Sequence, residues 1–104
     1  MRNVYIVNKS YHDYKEAANY GNLIFLSEGK MSRYELNNML RCFENELQTS
    51  SSEDYIVLCG LSVMNVAACV LFAIRHLKLN LLLFKNGRYV EQNVVFGQNI
   101  SKGE

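Results

Sequence analysis

Asp54-Tyr-Ile-Val-Leu-Cys-Gly-Leu-Ser-Val-Met-Asn65, running into a long apolar segment, decides the fold of this chain. Tyr55–Leu58 is a short β-branched and aromatic run, the pattern of a buried strand. It breaks at Gly60, and Ser62 then stands at the start of a segment of helical length. A strand that turns directly into a helix aims the helix's free N–H groups and partial positive charge at one spot on the surface. That spot suits an anion or a nucleotide.

Outward from this turn the same alternation repeats. Val4–Val7 and Leu23–Leu26 read as buried strands, and Asp13 can cap a short helix with Tyr14, Ala17 and Ala18 on one face, ended by Gly21. Ser32 and Glu35 have the spacing of a capping box. Leu36, Met39, Leu40, Phe43 and Leu47 follow at helical intervals, which predicts an amphipathic helix over residues 32–48. From Ser62 to about Leu77 the helix is apolar on nearly every side, so more than one neighbour must cover it, and a second subunit is the expected cover. Leu81–Phe84 and Tyr89–Phe96 flank Asn86-Gly87, a tight-hairpin signal.

The expected fold is therefore one α/β Rossmann-like domain over residues 1–96, of order β-α-β-α-β-α-β-β. Its sheet is mostly parallel, with a C-terminal antiparallel hairpin and a loose tail at 97–104. If the strand order begins 2-1-3, the first and third strands end side by side, at the switch point where open α/β sheets take ligands. The polar turn Asn8-Lys-Ser-Tyr-His-Asp13 would then face the Gly60 turn.

Composition narrows the function classes. At 104 residues and 49% hydrophobic, the chain fills one core and is not disordered. Eleven basic and ten acidic residues, net +1 and without long runs of one sign, argue against a partner of long nucleic acid. The longest apolar stretch, near Val66 to Ile74, falls far short of the ~20 residues that span a bilayer. No secretory signal precedes Asn8, so a cytoplasmic protein is expected. Cys42, Cys59 and Cys69 have no ligand spacing and read as buried reduced thiols. His12 and His76 are far apart, so neither a metal nor a cofactor is expected.

The candidate ligand-binding residues are Asn8, Lys9, Ser10, Tyr11, Gly60, Leu61, Ser62 and Asn65. Asn8 and Ser10 can donate to a phosphate or ribose oxygen, Lys9 can neutralise charge, and Tyr11 can stack on a base, whereas Tyr5 and Tyr55 belong to the core. His12 is the one candidate there for proton transfer near neutral pH; the plainer reading leaves it exposed. Asp13 and Ser62 can be ordinary caps. Asn65, the one strongly polar residue in an apolar helix, either bonds the neighbouring turn or meets a ligand. The spacing from Gly60 to Asn65 is neither a phosphate loop nor a dinucleotide fingerprint, and Met64 breaks the hydrolase elbow. Arg75, His76, Lys78, Lys85 and Arg88 read as a solvated basic edge.

Together, Val4-Tyr-Ile-Val-Asn8-Lys-Ser10 and Gly60-Leu-Ser62-Val-Met-Asn65 resemble the two turns of small Rossmann-like proteins that sense or degrade cyclic nucleotides in antiviral signalling, among them CRISPR-associated proteins and viral ring nucleases. The resemblance implies a homodimer that binds a cyclic nucleotide signal; short size, the absence of proline and a lone domain also suit a phage-encoded protein, and sequestration of the ligand is the leading expectation. The histidine several such enzymes carry at the later turn is absent, with Leu61 in that region, so binding is favoured over cleavage. The alternatives are phosphodiesterase cleavage with His12 as acid/base, and an interaction protein that docks through its apolar third helix.

Overall fold

The computed structural model describes residues 1–10 and 12–97; Tyr11 and the tail positions 98–104 lie outside the described residues. Five strands form one sheet in the order β2-β1-β3-β4-β5. They are β1 (Asn3–Ile6), β2 (Asn22–Phe25), β3 (Tyr55–Val57), β4 (Lys78–Lys85) and β5 (Arg88–Val95). The first four are mutually parallel and β5 runs antiparallel to β4. The hairpin turn holds Asn86 at φ 52° and Gly87 at φ 79°, the two positive angles that suit the right-handed strand twist.

Two α-helices are present among the described residues, one fewer than expected: α1 (Leu36–Leu47) and α2 (Ser62–His76). Between β1 and β2 only a 3₁₀ turn forms, Ala17–Tyr20. Asp13 does not cap a helix; its Oδ1 accepts the Lys15 N–H at 2.9 Å, which closes a local turn instead. Gly21 ends this segment where any Cβ would overlap the Arg2 carbonyl.

The helix expected from Ser32 begins at Leu36. Glu35 occupies the cap position without a side-chain bond, and the Ser32 hydroxyl accepts the Tyr34 N–H at 3.2 Å while its carbonyl accepts that of Glu35. The capping box is thus replaced by a serine turn, which leaves residues 29–35 as a loop above the sheet.

β1 is buried on both faces, so its side chains divide by parity. Tyr5, Val7 and Ile56 pack under α1 and α2 with Met39, Phe43, Met64 and Phe72. Val4, Ile6 and Val57 join Tyr14, Ala17, Tyr55 and Leu82 on the other face. α2 passes directly into β4: Leu77 takes the left-handed conformation, and its N–H bonds the Ala73 carbonyl at 2.8 Å. On its outer side Val66, Val70 and Ile74 remain 61%, 46% and 71% exposed. The cysteines are not buried as expected: Cys42 is exposed, its thiol donating to the Leu26 carbonyl at 3.6 Å, and Cys59 and Cys69 are half-buried. No helix among the described residues is long and apolar enough to cross a membrane.

Candidate functional site

β1 and β3 are neighbours in register, Ile6 beside Val57, so the two segments leaving their carboxyl ends emerge together. They are also fastened to each other. The Asn8 N–H points at Cys59 Sγ (3.3 Å), and the Cys59 thiol donates to the Asn8 carbonyl (3.2 Å). Gly60 then turns away at φ 84°, so close to β1 that a Cβ would lie 3.0 Å from that of Asn8.

The Asn8 side chain joins this rim to β2. Its Nδ2 donates to the Gly29 carbonyl (3.0 Å), and the Ser27 hydroxyl donates to the Val7 carbonyl (2.7 Å) with Asn8 Oδ1 3.0 Å away. Asn65 takes the first of its two expected roles: its Oδ1 accepts the Cys59 N–H at 3.0 Å, bracing the turn from inside α2. Ser62 is the first helical residue rather than the cap, since Leu61 holds that position in extended conformation. The Met64 and Asn65 N–H groups both turn back to the Leu61 carbonyl. The Ser62 and Val63 N–H groups have no partner among the described residues.

A cavity of about 440 Å³ opens at this junction, between Asn8 and Gly60 below and the 29–35 loop above. The loop contributes Lys30, Ser32, Arg33 and Tyr34. Arg33 also lines a neighbouring cavity of about 290 Å³ with Leu61, Ser62 and Val63, over the start of α2. On the other flank, Lys9, Ser10 and Glu28 share a third cavity of about 460 Å³ with Asn8 and Lys30. Lys9 is partly neutralised there: its Nζ lies 3.9 Å from Glu28 Oε1 and 5.2 Å above the Phe25 ring.

Ser10 turns toward Tyr14. Its N–H donates to the Tyr14 hydroxyl (3.3 Å), its own hydroxyl lies 2.9 Å from the same oxygen, and Tyr14 donates in turn to the Asn8 carbonyl. Burial raises the Tyr14 pKa and the Ser10 bond opposes the rise, so Tyr14 stays a neutral link. His12 is exposed and, among the described residues, its ring contact is with Tyr14, edge-on at 6.5 Å. It lines a separate cavity of about 400 Å³, on the sheet face away from α2.

The structure thus gathers Asn8, Gly60 and Leu61 around one opening, with Ser62 beside it and Lys9 and Ser10 on its flank. Asn65 lies beneath, His12 stands apart, and Tyr11 is outside the described residues. Sequence reading missed Lys30, and Arg33 within the stretch read as a helix start, and missed the structural part Cys59 and Tyr14 play. The described residues hold no group of His, Cys, Asp and Glu fit for a metal ion.

No curated protein and no solved structure matches the chain. A family model does: the one described as "Phage Pam3 gp32-like protein" matches residues 2–96, nearly the whole chain, which therefore belongs to the phage Pam3 gp32-like protein family.

Proposed function

We propose that this chain binds a nucleotide or other phosphorylated small molecule at the carboxyl ends of β1 and β3, in a Rossmann-like manner. One observation carries the reading: the Asn8 and Gly60 turns open onto a cavity walled by Lys30 and Arg33, beside the Ser62 and Val63 N–H groups, which have no partner among the described residues. Arg33 reaches both adjoining cavities, with Lys30 in the first and the helix start in the second, and this grouping favours a dianionic group. Three adjoining cavities along the rim leave room for a ligand with more than one phosphate, such as a cyclic oligonucleotide.

Holding the ligand is favoured over cleaving it. Asn8 and Ser10 are engaged in bonds within the rim, and His12 lies in a different cavity without a hydrogen-bond partner among the described residues. A phage protein that sequesters a nucleotide signal needs no more than this.

Thermal shift against a panel of mono-, di- and cyclic nucleotides tests the reading, because a ligand at 100 times its Kd adds about 2.7 kcal/mol to the native state. The double substitution Lys30→Ala, Arg33→Ala should then weaken binding tenfold or more. A panel that leaves the melting temperature unmoved refutes the proposal.

A second reading has its own observation, the exposed stripe of Val66, Val70 and Ile74 on α2. It makes the protein an interaction module, or a homodimer, that docks through this helix. Sedimentation of wild type and Ile74→Glu decides it: a monomer in both removes the homodimer.

A further inference from the structure

The cavity on the opposite face is built differently from the one that carries Lys30 and Arg33. Its 400 Å³ are walled by the aromatic side chains of Tyr14, Phe84 and Tyr89, with His12 and Asp13 at the mouth and Cys59 at the inner end. No lysine or arginine lines it among the described residues, and Asp13 brings a carboxylate, so a phosphate is excluded by charge. Gly60 lines both cavities. They therefore flank a single turn, one on each side of the β3 exit.

Phe84 and Tyr89 face each other across the β4–β5 pair, with centroids 5.2 Å apart and rings inclined at 66°. Phe84 is 62% exposed, which leaves a ring face uncovered. An uncovered aromatic ring at the mouth of a cavity offers a stacking platform for a flat heterocycle. Two polar groups stand ready beside it. Asp13 uses Oδ1 for the Lys15 N–H, which leaves Oδ2 to accept from an exocyclic amine. The Tyr89 hydroxyl makes no hydrogen bond among the described residues. Burial first, then the neighbouring Tyr14, Cys59 and Asp13, raise its pKa, so it remains a donor at neutral pH.

We propose that this aromatic cavity receives the base of a nucleoside phosphate whose phosphate group sits across Gly60, at the start of α2. The inference rests on the nucleotide reading above and specifies the ligand's second half: a planar nitrogen heterocycle, stacked on Phe84 and hydrogen-bonded by Asp13 and Tyr89.

The test titrates ¹⁵N-labelled protein with AMP, CMP and ribose 5-phosphate, following amide shifts and dissociation constants. All three should move the Ser62 and Val63 amides. AMP and CMP should also move those of Asp13, Phe84 and Tyr89, and bind about tenfold more tightly than ribose 5-phosphate. Phe84→Ala should abolish that advantage and leave ribose 5-phosphate binding unchanged. Tyr89→Phe, which removes only the hydroxyl, should weaken AMP severalfold. If AMP, CMP and ribose 5-phosphate bind equally and the Asp13, Phe84 and Tyr89 amides stay still, the base cavity is refuted while the phosphate seat survives. If none of the three moves the Ser62 and Val63 amides, the nucleotide reading itself falls and takes this inference with it.

Discussion

Replacing Gly60 by alanine separates two reasons for a glycine. Three glycines share nearly the same backbone angle: Gly29 at φ 78°, Gly60 at 84° and Gly87 at 79°. A Cβ on Gly29 or Gly87 meets nothing within 4 Å. On Gly60 it would lie 3.0 Å from Asn8 Cβ and 3.2 Å from Met64 Sδ. The left-handed backbone costs an alanine about 1–2 kcal/mol at each site, and stiffening of the unfolded chain returns about 0.4–1 kcal/mol at each. Both effects cancel when the variants are compared with one another. What remains at Gly60 is overpacking, about 1–3 kcal/mol. Neither neighbour gives way easily, since Met64 is 1% exposed and Asn8 is bonded on both sides.

Gly60→Ala should therefore lose about 1–3 kcal/mol more than Gly29→Ala or Gly87→Ala, which for a domain of this size lowers Tm by roughly a further 4–20 °C. Urea unfolding followed by far-ultraviolet circular dichroism measures this, with the m-value unchanged across the set. Equal losses in all three variants would refute the claim that the two strand exits are in contact at this glycine.

Other outcomes follow from the same bonds. Asn65→Ala strands the Cys59 N–H and should cost about 1–3 kcal/mol in urea unfolding, whereas Asn65→Asp keeps the acceptor and most of the stability. Buried Asp54 accepts the Asn3 and Ser51 N–H groups, at 2.9 and 2.8 Å, so Asp54→Ala should destabilise by about 1–3 kcal/mol by the same assay. At the end of α2, burial, helped by Arg75 and opposed by Asp54, pushes the His76 imidazole below the ordinary histidine range. The unfolded chain then binds a proton more readily than the folded one. This contribution to stability is complete above about pH 6.5 and is lost as pH falls from there through the lowered folded value. Urea midpoints at pH 5.5 and 7.5 should therefore differ in wild type and differ less in His76→Gln.

The strands were readable because each has a local signature. β1 and β3 are buried on both faces and carry unbroken apolar runs, and Asn86-Gly87 accepts the two positive angles its hairpin requires. α2 was readable from length alone. The beginning of α1 was not, because Ser32 can bond the amide two positions on as well as the one three positions on, and sequence spacing does not choose between them. The segment after Asp13 misled for the same reason, an aspartate bonding its local turn. Lys30 and Arg33 were invisible as cavity residues, since their position depends on how the 29–35 loop lies over α2, a tertiary contact without sequence periodicity. Cys59 read as an inert thiol because its partner, the Asn8 backbone, is 51 positions away.

That separation shapes how the molecule is assembled. α2, β4 and β5 follow one another through a single left-handed residue and a tight hairpin, so the last third of the chain can organise through short-range encounters. Joining β1 to β3 requires closure of a loop of about fifty residues, and the entropy of that closure must be met before any pairing repays it. Loop-closure entropy therefore places the Asn8–Cys59 clasp after that unit as an expected order of folding, and a ribosome-bound chain possesses no rim until Cys59 has left the exit tunnel.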